Sequence, residues 1–138
     1  NMTEISVIYN MFNVANSGVG ACKKIDDDKQ KSSRNMRLDG YQGPLENLFT
    51  MVDNINISFA DLKAQLPAGR IVEKEGEEKG NFFDTMADNL GQLKTAVANL
   101  RYLMEQDELN STKKAADYFF DTFQILLENI KDKQEDMK

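Results

Sequence analysis

Few residues in this chain have a claim to chemistry. Asp26, Asp27 and Asp28 set three carboxylates side by side, Gly76-Glu77-Glu78-Lys79-Gly80 places a lysine between glycines, and Cys22 is the one thiol. Three consecutive carboxylates on a helix point in different directions. The Asp-x-Asp-x-Asp-Gly alternation that wraps a calcium ion is missing, so this run reads as a solvated helix face. The glycine stretch lacks the Gly-Lys-Ser/Thr ending of a phosphate loop, follows no strand, and carries acidic side chains that repel phosphate. Cys22 lies on an apolar face and has no second cysteine to pair with, which makes it a small core residue in preference to a nucleophile.

The chain contains no histidine. There is therefore no imidazole base, no Glu-x-x-His diiron motif and no histidine zinc ligand. Carboxylates are plentiful, yet they fall on faces opposite the apolar stripes, and a catalytic pair has to project into a pocket. The expectation is a protein that is not an enzyme and that takes no cofactor and no metal.

What remains is architecture. A chain of 138 residues with 41% hydrophobic and 29% charged residues has the make-up of one soluble helical or globular domain, 1–138. Two prolines, Pro44 and Pro67, and no tryptophan suit long helices better than many short strands. The net charge is −6, with basic residues scattered among acidic ones, so a nucleic-acid partner is not expected. No apolar run approaches the ~20 residues that cross a bilayer, and no charged-then-apolar signal segment opens the chain, so no transmembrane segment is expected.

Ile5, Ile8, Phe12, Ala15, Val19 and Cys22 recur at three and four and predict a helix over about 3–36, with Thr3 as its cap. Gly18 and Gly20 each cost up to ~1 kcal/mol there relative to alanine. Either they let a second backbone come close or they mark a kink; the heptad running past them to Cys22 favours close packing. Leu38-Asp39-Gly40-Tyr41-Gln42-Gly43-Pro44 reads as a turn, with proline suited to the first turn of the next helix. That helix, 44–66, carries Leu45, Leu48, Val52, Ile55, Phe59, Leu62 and Leu66 on one seam, and Pro67 ends it. Residues 68–80, with three glycines and dense charge, read as an exposed connection.

The last element spans 81–137. Phe83, Met86, Leu90, Leu93, Val97, Leu100 and Met104 form one seam, and Ala116, Phe119, Phe123, Leu126 and Ile130 form a second in a shifted frame. Either one helix runs through a polar patch, or the chain turns near Asn110-Ser111-Thr112 and a fourth helix begins. The absence of glycine and proline after Gln92 favours a single helix, roughly 85 Å long at 1.5 Å per residue. The fold class expected is all-α: an elongated antiparallel coiled coil or helical bundle with a very long C-terminal helix.

Residues expected to pair helices or build an assembly are Leu48, Val52, Ile55, Phe59, Leu62, Leu93, Val97, Leu100, Met104, Phe119, Phe123, Leu126 and Ile130. All seams can close internally as a plain bundle, or part of the C-terminal seam can wait for other subunits. Tyr118, Phe119, Phe120 and Phe123 cover more of the helix than a two-stranded seam requires, which places the expected assembly surface there.

Met51-Val52-Asp53-Asn54-Ile55, then Lys63-Ala64-Gln65-Leu66-Pro67 and Ile71, resemble the N-terminal half of EspA-like proteins, the secreted filament subunits of bacterial type III secretion systems. Leu109 to Phe119, continuing to Ile130, is similar to the final polymerisation helix of type III filament and needle-tip proteins. Together these short helical motifs cover about half the chain. The resemblance implies antiparallel pairing of the terminal helices, stacking into a hollow extracellular tube, and a cognate secretion chaperone that covers exposed seams before export. It implies subunit or helix contacts at Leu100, Met104, Phe119, Phe123, Leu126 and Ile130, and a location outside the cell at the bacterial surface. The break at Gly40–Pro44, the short acidic 68–80 segment and the charged final residues depart from the family pattern, and leave open a fragment or a tip protein. The functional expectation is a structural, self-assembling secreted protein of a type III system with itself as principal partner. The alternative is a monomeric helical-bundle binding module, or a secretion chaperone or adaptor.

Overall fold

The computed structural model describes residues 2–32, 39–65, 81–106 and 109–137. They form four helices, α1 (Met2–Ser32), α2 (Asp39–Gln65), α3 (Asn81–Glu105) and α4 (Leu109–Asp136). At 1.5 Å per residue these are rods of about 38–46 Å. α1 packs on α2 and α4, and α3 packs on α2 and α4, so the four close into a ring in chain order. Contacts fix the directions. Gly18 faces Leu48, Lys63 meets Asp84, Lys133 lies over Phe82, and Gln134 reaches Ser6, so each helix is antiparallel to its neighbours. The chain is an all-α, antiparallel four-helix bundle.

Each helix forms because one stripe has a partner to bury against. Ile5, Ile8, Phe12, Ala15, Val19 and Cys22 of α1 are all buried, as are Leu45, Leu48, Val52, Ile55, Phe59 and Leu62 of α2. Phe83, Met86, Leu90, Leu93, Val97, Leu100 and Met104 of α3 join them, with Ala116, Phe119, Phe123, Leu126 and Ile130 of α4. The result is one continuous core. Aromatic rings tie it together from three directions: Phe12 to Phe123, Phe49 to Phe119 and Phe59 to Phe83, with centroids 5.5, 5.8 and 5.9 Å apart. Each such side chain contributes on the order of 1.5–3 kcal/mol through burial.

The expected helix over 81–137 is two helices. α3 stops at Glu105 and α4 starts at Leu109, and the two lie against each other. The shifted phase of the two apolar seams explains why. A hairpin turns both seams onto one core, whereas a straight rod would point the second away from the helices that cover the first. No glycine or proline is needed for the stop. The Gln106 N–H donates to the carbonyls of both Tyr102 (3.3 Å) and Leu103 (3.2 Å), tightening the final turn of α3. The reversal falls before Asn110, which already belongs to α4.

α2 also begins earlier than expected, at Asp39, with Pro44 inside it. The proline ring normally clashes with the Cβ of the residue before it and with the carbonyl four residues back. Here the preceding residue is Gly43, which has no Cβ, and Pro44 is close enough to the helix start that little of the hydrogen-bond ladder is lost. α1 begins at Met2, so Thr3 lies within its first turn, and the helix runs unbroken through Gly18 and Gly20. The connection 68–80 with its Gly76–Gly80 stretch, the stop at Leu66-Pro67, Ile71, residues 33–36 and Asp107 lie outside the described residues. So do the side chains of Asp26, Asp27 and Asp28.

Candidate interaction surface

Every residue expected to pair helices or build an assembly is inside. Leu48, Val52, Ile55, Phe59, Leu62, Leu93, Val97, Leu100, Met104, Phe119, Phe123, Leu126 and Ile130 all belong to the core of a single chain. This corrects the placing of an assembly surface on the second C-terminal seam. Phe119, Phe120 and Phe123 do span a wide arc of α4, but the neighbours they meet are α1 and α2 of the same bundle. Tyr118 alone of that cluster points outward, 55% exposed.

Buried polar groups on α4 are accommodated locally. The Thr122 hydroxyl donates to the Tyr118 carbonyl at 2.9 Å, and Lys133 lays its stem against the core with Nζ 5.3 Å from the Phe82 ring centre. Cys22 is fully buried, and desolvation pushes its thiol up from 9.0 to about 11, which keeps it protonated and unreactive at neutral pH. Among the described residues no three His, Cys, Asp or Glu side chains gather as a metal site. No helix among them is long and apolar enough to cross a membrane.

The outer faces of the bundle differ from one another. On α3 and α4 charge is interspersed among the outward positions: Asp84, Asp88, Lys94 and Glu105, with half-buried Arg101, on one, and Lys114, Asp117, Asp121, Glu128, Lys131 and Asp132 on the other. The exposed Ile125 of α4 is hemmed in this way, in a shallow hollow shared with Asp121 and Glu128. On α1 the run from Ile5 to Cys22, 18 residues, has no Asp, Glu, Lys or Arg at all, in a chain that is 29% charged. Its inward residues build the core. Its outward residues next to α2 are Val7, Met11, Val14, Gly18 and Ala21, spaced four and three, a second and uncharged heptad stripe.

α2 completes this face. Val7, Asn10, Met11 and Val14 line a groove of about 420 Å³ with Met51 and Asn54. Val7 and Val14 are 54% and 62% exposed, while Met11 and Met51 are half-buried and pack on the core from outside. Further toward the α1 start, a second hollow of about 250 Å³ is lined by Glu4, Val7, Ser58 and Asp61, and there the uncharged face ends. Oε2 of Glu4 is shielded and has no hydrogen-bond partner. Reading the sequence for its core stripe alone passed over this face. The missing charge between Glu4 and Lys23 was the signal that pointed to it.

Compared with protein-family models, with curated proteins and with solved structures, the chain matches none.

Proposed function

We propose that this protein is structural and works by association with other protein subunits. The observation that carries the reading is the uncharged apolar stripe Val7-Met11-Val14 left on the outside of a bundle whose core is already complete. Soluble helices normally turn charge toward water, and a contiguous apolar patch rimmed by polar residues is the usual mark of a protein contact. In its specific form the reading is a self-assembling, secreted filament or tip subunit of a bacterial type III system, exported with a cognate chaperone. The EspA-like motifs around Met51–Ile55 and Leu109–Ile130 support it. In the closed bundle such a subunit would associate through outer faces, since its heptad seams are used internally.

A second reading is a monomeric binding module or secretion adaptor, favoured by the closed core: among the described residues, one chain buries every seam residue without a second copy. Light scattering over a concentration series, combined with negative-stain imaging, separates the two. The first reading expects mass to grow with concentration and ordered particles or filaments to form. A constant monomer mass at high concentration and neutral pH sinks it in favour of the second.

A further inference from the structure

Resting on the reading of an associating subunit, we infer that the α1/α2 face is the self-association surface and that its occupant is the same face of a second copy, docked antiparallel across α1.

Electrostatics select the occupant. The chain carries −6 overall, and the outward rows of α3 and α4 bristle with charge, so most ways of bringing two copies together oppose like charges or bury unpaired ones. The face built from Ile5–Cys22 and the Asn47, Met51, Asn54 and Ser58 row of α2 has none to oppose or bury. Between Glu4 and Lys23 α1 also offers no charge for a charged partner to recognise. A neutral surface on a strongly negative protein is matched by another neutral surface, and the one at hand is its own.

Size complementarity agrees. In an antiparallel helix pair, layers join the two kinds of heptad position, which sets Met11 against Val14 of the second copy and Val7 against its Gly18. Val7 then lies beside a glycine whose side-chain direction is turned to its own α2, with Leu48 Cδ1 3.5 Å from where a Cβ would stand. Val14 projects toward the groove beside Met51, and Asn10 and Asn54 at the groove edge can exchange amide hydrogen bonds across the two-fold.

The test is sedimentation velocity on the whole chain and on Val14→Glu, with Ile125→Glu on α4 as the matched control, helicity being checked by circular dichroism. Val14 is 62% exposed, so the substitution leaves the fold intact. The expected result is a wild-type dimer whose dissociation constant rises at least tenfold in Val14→Glu and is unchanged in Ile125→Glu. As a second measurement, an equimolar mixture of Met11→Cys and Val14→Cys chains, each in a Cys22→Ser background, should form a disulfide-linked heterodimer on mild oxidation, and a mixture of Met11→Cys with Ile125→Cys in the same background should not. If the wild type associates and Val14→Glu associates equally well, this face is the wrong one, while the associating-subunit reading stands. If no association occurs at any concentration, both fall.

Discussion

Phe12 on α1 and Phe123 on α4 hold their ring centres 5.5 Å apart with planes tilted by 46°, joining the first helix to the last across the bundle. Both rings are fully buried, so this pair closes the ring of four helices. Phe123→Ala should cost about 3–5 kcal/mol in a urea titration, the range for emptying a phenylalanine site in a core. With Phe12→Ala and the double variant, the cycle should return a coupling of about 0.5–1.5 kcal/mol. A Phe123→Ser protein that kept its full stability and lost only self-association would overturn the placing of this ring in the core.

Gly20 and Gly91 sit within helices, and a Cβ built at either meets nothing within 4 Å. Alanine at each should therefore stabilise the bundle by about 0.5–1 kcal/mol, because the unfolded chain loses freedom and the folded one gains no clash. Thermal melts that rise by a few degrees for each variant, and additively for the pair, are the expected outcome. Lower melting temperatures would mean that another chain approaches these glycines closely.

Arg101 reaches from α3 to α2, with Nη2 3.4 Å from Glu46 Oε2 and its guanidinium 5.0 Å from the Phe49 ring centre. Both charged side chains are more than 40% exposed, so solvent screens the ion pair and it contributes at most about 1 kcal/mol. Glu46→Gln should thus change stability by a few tenths of a kcal/mol. Arg101→Ala should cost more, because it also uncovers the Phe49 ring. If 1 M salt erased the whole effect of Arg101→Ala, the stacking contribution would be refuted.

Burial raises the Cys22 thiol to about 11 against 9.0 when unfolded, so the folded state holds the proton longer. The sign follows: the stability due to the buried thiol is complete below pH 9 and is lost as pH rises through 11. The stability of the wild type minus that of Cys22→Ala, measured by denaturation at each pH, should be flat to about pH 9 and then fall. Labelling by a thiol reagent at neutral pH should be slow, accelerating only with denaturant.

All four core stripes were legible in the sequence, because three-and-four spacing is a direct projection of helix geometry onto residue number. The break inside the last apolar region was visible only as a phase shift. Leu100 and Met104 run in one frame and Phe119 and Phe123 in another, and spacing alone does not tell a relaxed supercoil from a reversal. Tertiary packing decides it, since only the reversal lets α4 reach Phe12 and Phe49. The start of α2 was misjudged because Asp-Gly and Gly-Pro usually signal turns, whereas Gly43 before Pro44 relieves the clash that makes them so. The wide aromatic arc of α4 meets both α1 and α2, but sequence spacing does not say whether neighbours belong to the same chain. The candidate surface escaped because a core search looks for what is apolar, and this face is defined by the charge it lacks.

The α1–α4 seam has a mechanical consequence. Ser6 and Gln134 share a 3.0 Å hydrogen bond, so the start of α1 and the end of α4 emerge side by side at one pole. A pull applied between those two points loads the seam at its open edge. It breaks the Ser6–Gln134 contact, then the Phe12–Phe123 ring contact, then the Lys23–Phe120 contact, one after another. Unzipping in series yields at far lower force than shearing the same contacts together. Tension between those two points therefore opens the α1–α4 seam one contact at a time.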